Sequence, residues 1–203
     1  MASILPFDEL NRLELRLRER FPDGKLVKEE DYEDIIDEML DLFLLAYAMG
    51  NSVTNENLSS DYAPTLDDAL NTVDERIAGK TWRERVEEYF DEDGSVDDLL
   101  RIAETEMHRD ANKSALETAQ RSGAKWKTWA TMLDDKVRET HDYLEGETVA
   151  IDEDFYTFDG DHASAPGLFA LPQNNIRCRC ELIFSEARGK RMAGRYSRRP
   201  LKI

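Results

Sequence analysis

The sequence predicts an α+β protein, with a helical N-terminal region followed by a small α+β domain that contains a three-stranded sheet. Apolar residues recur at helical spacing over roughly the first 120 residues, which predicts amphipathic helices. After Ala124, three short segments rich in β-branched and aromatic residues are typical of strands, and an antiparallel sheet is their simplest arrangement. The chain has 203 residues, 40% hydrophobic and 35% charged, and is therefore long enough to bury a hydrophobic core.

The first two predicted helices differ in how much of their surface is apolar. Residues 7–20 place Phe7, Leu10, Leu13 and Leu17 on one face, which indicates an ordinary amphipathic helix. Residues 29–49 begin with acidic side chains, as suits the positive end of a helix. The second half of that helix is apolar on nearly every side, so we expect it to be buried in a core or against a partner. The Gly-Asn-Ser that follows residue 49 predicts its end and the start of a loop.

Three further helix starts share one signature, in which a hydroxyl residue is followed three positions later by a carboxylate. The hydroxyl caps a free backbone N–H and the carboxylate favours the positive end of the helix. The pairs are Thr65 with Asp68, Thr81 with Glu84, and Ser95 with Asp98. Gly79, Gly94 and Gly123 are placed to end helices, so the third capped helix is expected over residues 96–121.

The C-terminal part predicts strands over residues 124–132, 147–151 and 177–185. A short helix is expected over residues 134–146, and a long irregular loop over 154–175. We divide the chain into a helical N-terminal region (residues 1–94), the α+β domain (95–186) and a basic tail (187–203).

Charge is distributed unevenly along the chain. It has 44 acidic and 27 basic residues and a net charge of −17, which argues against a free nucleic-acid-binding protein. After Glu186 there are seven positive charges and no acidic residue, which leaves −24 on residues 1–187. The positive residues of the tail are Arg188, Lys190, Arg191, Arg195, Arg198, Arg199 and Lys202. We expect the tail to be extended alone and to bind an anionic partner.

Neither a secretory signal nor a membrane span is expected. The first residues lack a basic region followed by an apolar run. The longest apolar run, residues 39–49, falls short of the roughly 20 residues that span a bilayer. Cys178 and Cys180 are one residue apart, where a bond between them would be strained, so a reducing compartment is expected.

Alternation along the last predicted strand places the two cysteines, Leu182 and Phe184 on one face. Because free cysteine packs as a small hydrophobic side chain, this pattern favours Cys178 and Cys180 as buried thiols of the core.

The two cysteines have two chemical alternatives to burial in the core, a metal site and a nucleophile. A metal site would need two more ligands, for which His108 and His141 are available, but both are distant in sequence. A nucleophile would need a base and a positive environment, whereas Arg179 lies on the other face of the strand. We therefore predict no catalytic residue, metal or cofactor at Cys178 and Cys180.

Two polar triplets occur at i, i+4 and i+7 spacing, which places the members of each on one side of a helix. Such triplets are most often solvated faces or ion pairs, although the first is also suited to a buried hydrogen-bond network and the second to acid–base chemistry. They are Thr105, Arg109 and Asn112, and Asp134, Arg138 and His141.

These clusters, in this order, resemble the phage Mu F-like minor head proteins, also called phage head morphogenesis proteins. The resemblance runs from about Leu99 to Phe184. It rests on both polar triplets and on Trp129, Val137, Leu144, Gly146, Cys178, Arg179 and Cys180. One position departs from the family pattern, because Arg177 stands where the family usually has asparagine.

The resemblance implies a structural, non-enzymatic protein of a tailed phage or prophage that assists head assembly or DNA delivery. It places the protein inside the capsid at the portal vertex, and in the host cytoplasm during assembly. The implied partner is the portal protein; major capsid or scaffolding protein, and packaged double-stranded DNA bound by the basic tail, are further candidates. We expect the helical region to bind the partner. The alternative is a metal-dependent hydrolase or toxin-related enzyme that uses Asp134, His108 and His141.

Overall fold

The computed structural model describes residues 5–27 and 32–187, and within them it confirms the predicted α+β class. The long helices are α1 (Phe7–Arg20), α2 (Tyr32–Leu58), α3 (Leu66–Val73), α4 (Trp82–Asp91) and α5 (Val96–Arg121). The later elements are β1 (Trp126–Ala130), α6 (Glu139–Asp142), β2 (Thr148–Ala150), β3 (Phe155–Tyr156), β4 (His162–Ala163), α7 (Pro172–Asn175) and β5 (Glu181–Ser185). The bounds predicted for α1 and α5 agree with those observed.

All three predicted capping signatures form complete capping boxes at the starts of α3, α4 and α5. In each, the hydroxyl accepts a hydrogen bond from the backbone N–H three residues later, and the carboxylate there accepts one from the cap residue's own N–H. The first of these bonds is 3.1 Å long at Thr65, 3.3 Å at Thr81 and 3.3 Å at Ser95. Local side-chain chemistry therefore sets where these three helices begin.

The prediction that α2 ends at Gly50 is wrong, because the helix continues to Leu58. A Cβ atom at Gly50 would lie 2.2 Å from the backbone oxygen of Ala111 on α5. Glycine at this position therefore allows two long helices to approach closely, rather than ending the first of them. The helix ends where Ser59 adopts a left-handed conformation, with φ of 51°.

The apolar half of α2 lies in a core that the helices build together. Met39 and Phe43 are fully buried in that core, and Phe43 packs edge-on against Trp82 of α4, with ring centroids 5.0 Å apart. Helix α5 contributes Leu99 and Met107 to the same core. The apolar circumference of α2 is thus largely covered within the chain, so that partner binding by residues 1–94 stays a prediction.

The predicted three-stranded antiparallel sheet is confirmed, with strand order β2-β1-β5. Strand β1 is central, and it places Lys127 opposite Val149 of β2 and Trp129 opposite Leu182 of β5. Both cysteines lie just before β5 rather than within it.

Three local predictions differ from the structure. The helix expected over residues 134–146 is reduced to the four residues of α6, because the Asp134 side chain accepts a hydrogen bond from the Lys136 N–H and forms a turn instead. The loop expected over residues 154–175 contains the β3–β4 hairpin and α7. Gly79 ends no helix; with φ of 85° it lies in the turn between Ile77 and Lys80.

The positive residues of the basic tail, Arg188 to Lys202, lie outside the described residues. The division of the chain at residues 94 and 95 stays a prediction, since α5 also packs in the helical core. Among residues 5–27 and 32–187, no helix combines the length and apolar character that crossing a membrane requires.

Candidate functional site

Three side chains with metal-binding donor atoms meet in the C-terminal part of the chain. The Nδ1 atom of His141, on α6, lies 3.4 Å from the sulfur of Cys178 and 3.4 Å from the sulfur of Cys180. All three side chains are buried, and their donor atoms lie within 4.8 Å of one another. The cysteines are free thiols, as predicted. The structure thus joins His141 to the cysteines, which sequence distance alone gave no reason to expect.

A second histidine approaches the same segment from α5. The Nε2 atom of His108 lies 2.7 Å from the backbone oxygen of Cys180. A carbonyl oxygen only accepts hydrogen bonds, so Nε2 carries the proton, and Nδ1 of the neutral ring is left with a free lone pair. That buried Nδ1 atom has no hydrogen-bond partner among the described residues. Asn112 also donates to the Cys180 carbonyl, at 3.3 Å, and so ties α5 to the cysteine segment.

Aromatic rings enclose the cluster. Phe169 stacks on the His141 ring at a centroid distance of 5.4 Å, and Trp129 meets it edge-on at 5.3 Å. Phe155 packs edge-on against Trp129, with centroids 5.1 Å apart. These rings exclude water, and interactions between charged or polar groups are stronger in the resulting low dielectric.

The cluster opens to solvent through one narrow cleft, whose volume is about 10 Å³. Such a volume holds roughly one water molecule. The cleft is lined, besides the cluster itself, by Met132, Lys136, Val137, Arg138, Arg177 and Arg179. The site therefore has room for an ion or a water molecule but not for an organic substrate.

The two thiols have different proton affinities. Burial alone would raise the pKa of Cys178, but the hydrogen bond with Cys180 and the nearby rings of His108 and His141 hold that pKa well below the usual range. The pKa of Cys180 is raised well above its usual value by its hydrogen bond to Cys178 and by burial. For His108, burial lowers the imidazole pKa, but the adjacent Cys178 and the Cys180 carbonyl outweigh it, and the net shift is upward. The geometry favours a thiolate at Cys178.

The first polar triplet divides between two environments. Asn112 joins the cysteine segment, whereas Thr105 donates to the backbone oxygen of Arg101 on its own helix. Arg109 is buried and forms ion pairs with Glu106 at 3.0 Å and Glu75 at 2.7 Å. It also donates to the backbone oxygen of Thr72 on α3 at 2.6 Å. Arg109 is therefore the centre of a buried ionic network that joins α5 to α3 and the turn after it.

The second triplet does not share one helix face. Asp134 forms a two-bond ion pair with Arg179, at 2.7 and 2.8 Å, and Arg138 donates to the backbone oxygen of Ile176. Only His141 enters the cluster. The combination of Asp134, His108 and His141 that the hydrolase alternative needs is not grouped, since the potential metal ligands that the described residues bring together are His141, Cys178 and Cys180.

Sequence reasoning missed several buried charged side chains, among them Asp110 and Lys127. Asp110 is fully buried beside Arg109, and burial raises its pKa well above the usual value, with Glu106 and Glu75 adding to the effect. Lys127 is also fully buried and donates to the backbone oxygen of Ser164 at 2.8 Å. Burial lowers the Lys127 pKa to about 8. Lys127 lies two residues from Trp129 in β1, so strand alternation could have predicted that both side chains are buried. Nothing in the sequence around Asp110 indicates that this residue is buried.

Comparisons with known proteins identify the region that contains this site. The family model described as Phage Mu protein F like protein matches residues 52–183, more than half of the chain. The chain is 31% identical over 119 residues to an NAD(+)–arginine ADP-ribosyltransferase of Enterococcus faecalis, covering 56% of this chain and 24% of that protein. It is 32% identical over 85 residues to a minor head protein of Bacillus phage SPP1, covering 40% and 28%. The chain thus spans about a quarter of the length of these relatives. No solved structure matches it.

Proposed function

Because the chain belongs to the Phage Mu protein F-like family, we propose that it is a minor head protein of a tailed phage or prophage and acts in head morphogenesis. The family match carries this proposal, because it includes α5, the sheet and the cluster of His141, Cys178 and Cys180. The similarity to the minor head protein of phage SPP1 supports the same role.

In this proposal the protein is a virion component that lies inside the capsid at the portal vertex and binds the portal protein. The support is the family match and the similarity to the minor head protein of phage SPP1. Large apolar side chains exposed on the helical region can test where the contact lies. Leu15 on α1 is 69% exposed and Leu66 on α3 is 65% exposed, so replacing either leaves the core intact.

The test is co-purification of the full chain with the portal protein of the same phage, with native mass spectrometry to give the ratio. We expect wild type to be retained, and Leu15→Glu or Leu66→Glu to be lost, if the helical region makes the contact. Met132→Glu and Tyr156→Glu are matched controls, because both residues are exposed but lie in the C-terminal half.

Loss of association in the control variants alone would move the interface to the C-terminal half, and no association of wild type would overturn portal binding. Deleting residues 1–60 is a poorer test, because it removes the α2 surface that packs at Gly50 against α5.

We further propose that the protein is not an enzyme. One relative is named an ADP-ribosyltransferase, but this chain covers only 24% of it. The test incubates the purified chain with NAD⁺ and an arginine-containing acceptor and measures ADP-ribose transfer by mass spectrometry. We expect no transfer above that of a heat-denatured sample; transfer proportional to protein concentration would contradict this.

A further inference from the structure

We propose that Cys178, Cys180 and His141 bind a Zn²⁺ ion, and that this ion stabilises the C-terminal fold. The proposal concerns the structure of the domain and does not depend on the role in head assembly.

The spacing of the donor atoms suits zinc. In a tetrahedral site with Zn–S of about 2.3 Å and Zn–N of about 2.0–2.1 Å, a sulfur and a nitrogen ligand lie about 3.6 Å apart. The His141 nitrogen lies 3.4 Å from each sulfur. An ion can therefore enter among these three atoms with only small shifts of the side chains.

His108 lies beside the site but is not one of the ligands. Its Nε2 atom donates to the Cys180 carbonyl, and its Nδ1 atom faces Gly167, where an added Cβ atom would lie 3.1 Å from it. The third histidine, His162, pairs with Asp154 away from the cluster, with its side chain 57% exposed. The fourth position of the ion is therefore left to a water molecule in the narrow cleft, and His108 orients the cysteine segment.

The donor set selects the metal. Two thiolates and one imidazole form a soft donor set that is typical of zinc, whereas magnesium and calcium prefer oxygen ligands. The cleft above the cluster has a volume of only about 10 Å³. That cleft leaves the fourth position of the ion to a single water molecule and has no room for a substrate, so the role we assign to the ion is structural.

Zinc would join parts of the chain that are far apart in sequence. His141 lies on α6 and the cysteines lie just before β5, where His108 of α5 donates to the Cys180 carbonyl. The apolar core between these elements is small, and its fully buried large side chains are Trp129, Leu144 and Phe155. Small cores of this kind are commonly supplemented by a structural metal, because metal binding adds to the free energy of folding.

The first experiment measures metal in the full chain purified from zinc-supplemented cells without chelators. We expect elemental analysis to give one zinc ion per chain. After exchange, Co²⁺ should give the intense visible bands of a tetrahedral site and a near-ultraviolet thiolate charge-transfer band. A chain that folds without zinc, and that gives no charge-transfer band on adding Co²⁺, would overturn the proposal without affecting the portal test.

Variants then assign the ligands. We expect Cys178→Ser with Cys180→Ser, and separately His141→Ala, to abolish stoichiometric zinc binding, while His162→Ala retains it. His108→Ala should weaken zinc affinity by at most roughly 10–100-fold, because His108 only orients the cysteine segment. Full affinity in His141→Ala would overturn the site.

If a variant fails to fold, a measurement on wild type alone still tests the proposal. A strong chelator should lower the melting temperature of wild type, and added Zn²⁺ should restore it. An unchanged melting temperature, with zinc removed as checked by elemental analysis, would refute a stabilising role.

Discussion

The Nε2 atom of His108 lies 2.7 Å from the backbone oxygen of Cys180, although 72 residues separate them in the sequence. This hydrogen bond joins the long helix α5 to the segment that enters the last strand. Because α5 also supplies Leu99 and Met107 to the helical core, it belongs to both halves of the fold. A change in the contacts of α5 with the cysteine segment should therefore affect the stability of the whole chain.

Replacing Asn112 tests this coupling. Its amide donates to the carbonyl oxygens of both His108 and Cys180, and the residue is fully buried. We expect Asn112→Ala to lower the free energy of unfolding by about 1–3 kcal/mol, because buried acceptors lose a donor. Urea titration followed by circular dichroism measures it. Gln120→Ala, at an exposed position of the same helix, should change stability little; equal losses in both variants would contradict the assignment.

The contact between Gly50 and Ala111 gives a second prediction. Alanine is favoured over glycine in a helix by about 1 kcal/mol, so helix propensity alone predicts that Gly50→Ala stabilises. A Cβ atom there would lie 2.2 Å from a backbone oxygen, and overpacking costs about 1–3 kcal/mol or more. We expect net destabilisation in thermal unfolding. Ser52→Ala, on the exposed side of α2, is the control, and a more stable Gly50→Ala would show that the helices separate easily.

Local chemistry in the sequence accounts for the helix starts, and long-range packing accounts for most of what sequence analysis missed. The capping boxes at Thr65, Thr81 and Ser95 depend on residues three positions apart, so they could be predicted. Gly50 looked like a terminator, because nothing nearby in the sequence reveals that Ala111 packs against it. The grouping of His141 with the two cysteines could not be predicted for the same reason, because only the fold brings these residues together.

Asp110 predicts a specific dependence of stability on pH. Burial raises its pKa well above the usual 3.8, with Glu106 and Glu75 adding to the rise while Arg109 and Lys113 oppose it. The folded chain therefore holds this proton more tightly than the unfolded chain does. Its contribution to stability is full below about pH 4 and is lost as pH rises through the raised pKa.

Asp110→Asn removes this titration. We expect the stability of the variant relative to wild type to increase as pH rises from about 4 to 8. Over this range the unfolded wild type releases the Asp110 proton more readily than the folded wild type, which favours unfolding of wild type only. Urea titrations at several pH values measure the difference. A difference that stays constant across this range would show that Asp110 ionises with its ordinary pKa.

Arg177 offers a test of the one departure from the family pattern. Its φ is 55°, in the left-handed region where asparagine and glycine are tolerated and a long side chain costs about 1–2 kcal/mol. The asparagine that the family usually has here suits this conformation. We expect Arg177→Asn to raise the free energy of unfolding by up to about 1 kcal/mol, because it relieves the backbone strain. Loss of the exposed ion pair with Glu104 should offset only a small part of this gain.

Glu104→Gln isolates the contribution of that ion pair in the Arg177 test. A destabilised Arg177→Asn, combined with an unchanged Glu104→Gln, would contradict an origin in backbone strain.

The basic tail, which lies outside the described residues, gives the last prediction. Its seven positive charges contrast with −24 on residues 1–187, so any affinity of this chain for DNA should reside in the tail. Seven phosphate contacts would release about six counterions, and binding should weaken roughly 4000-fold between 50 and 200 mM salt. The measurement is fluorescence anisotropy with labelled double-stranded DNA over a salt series, using the intact chain and a chain that ends at Glu186. We expect binding with a steep salt dependence only in the intact chain.

A further variant, with Arg198 and Arg199 replaced by glutamine, should reduce the salt slope by about two, because each phosphate contact contributes about one counterion. Equal binding by the intact and shortened chains would exclude the tail. Weaker binding by the glutamine variant with an unchanged salt slope would contradict phosphate contacts by Arg198 and Arg199.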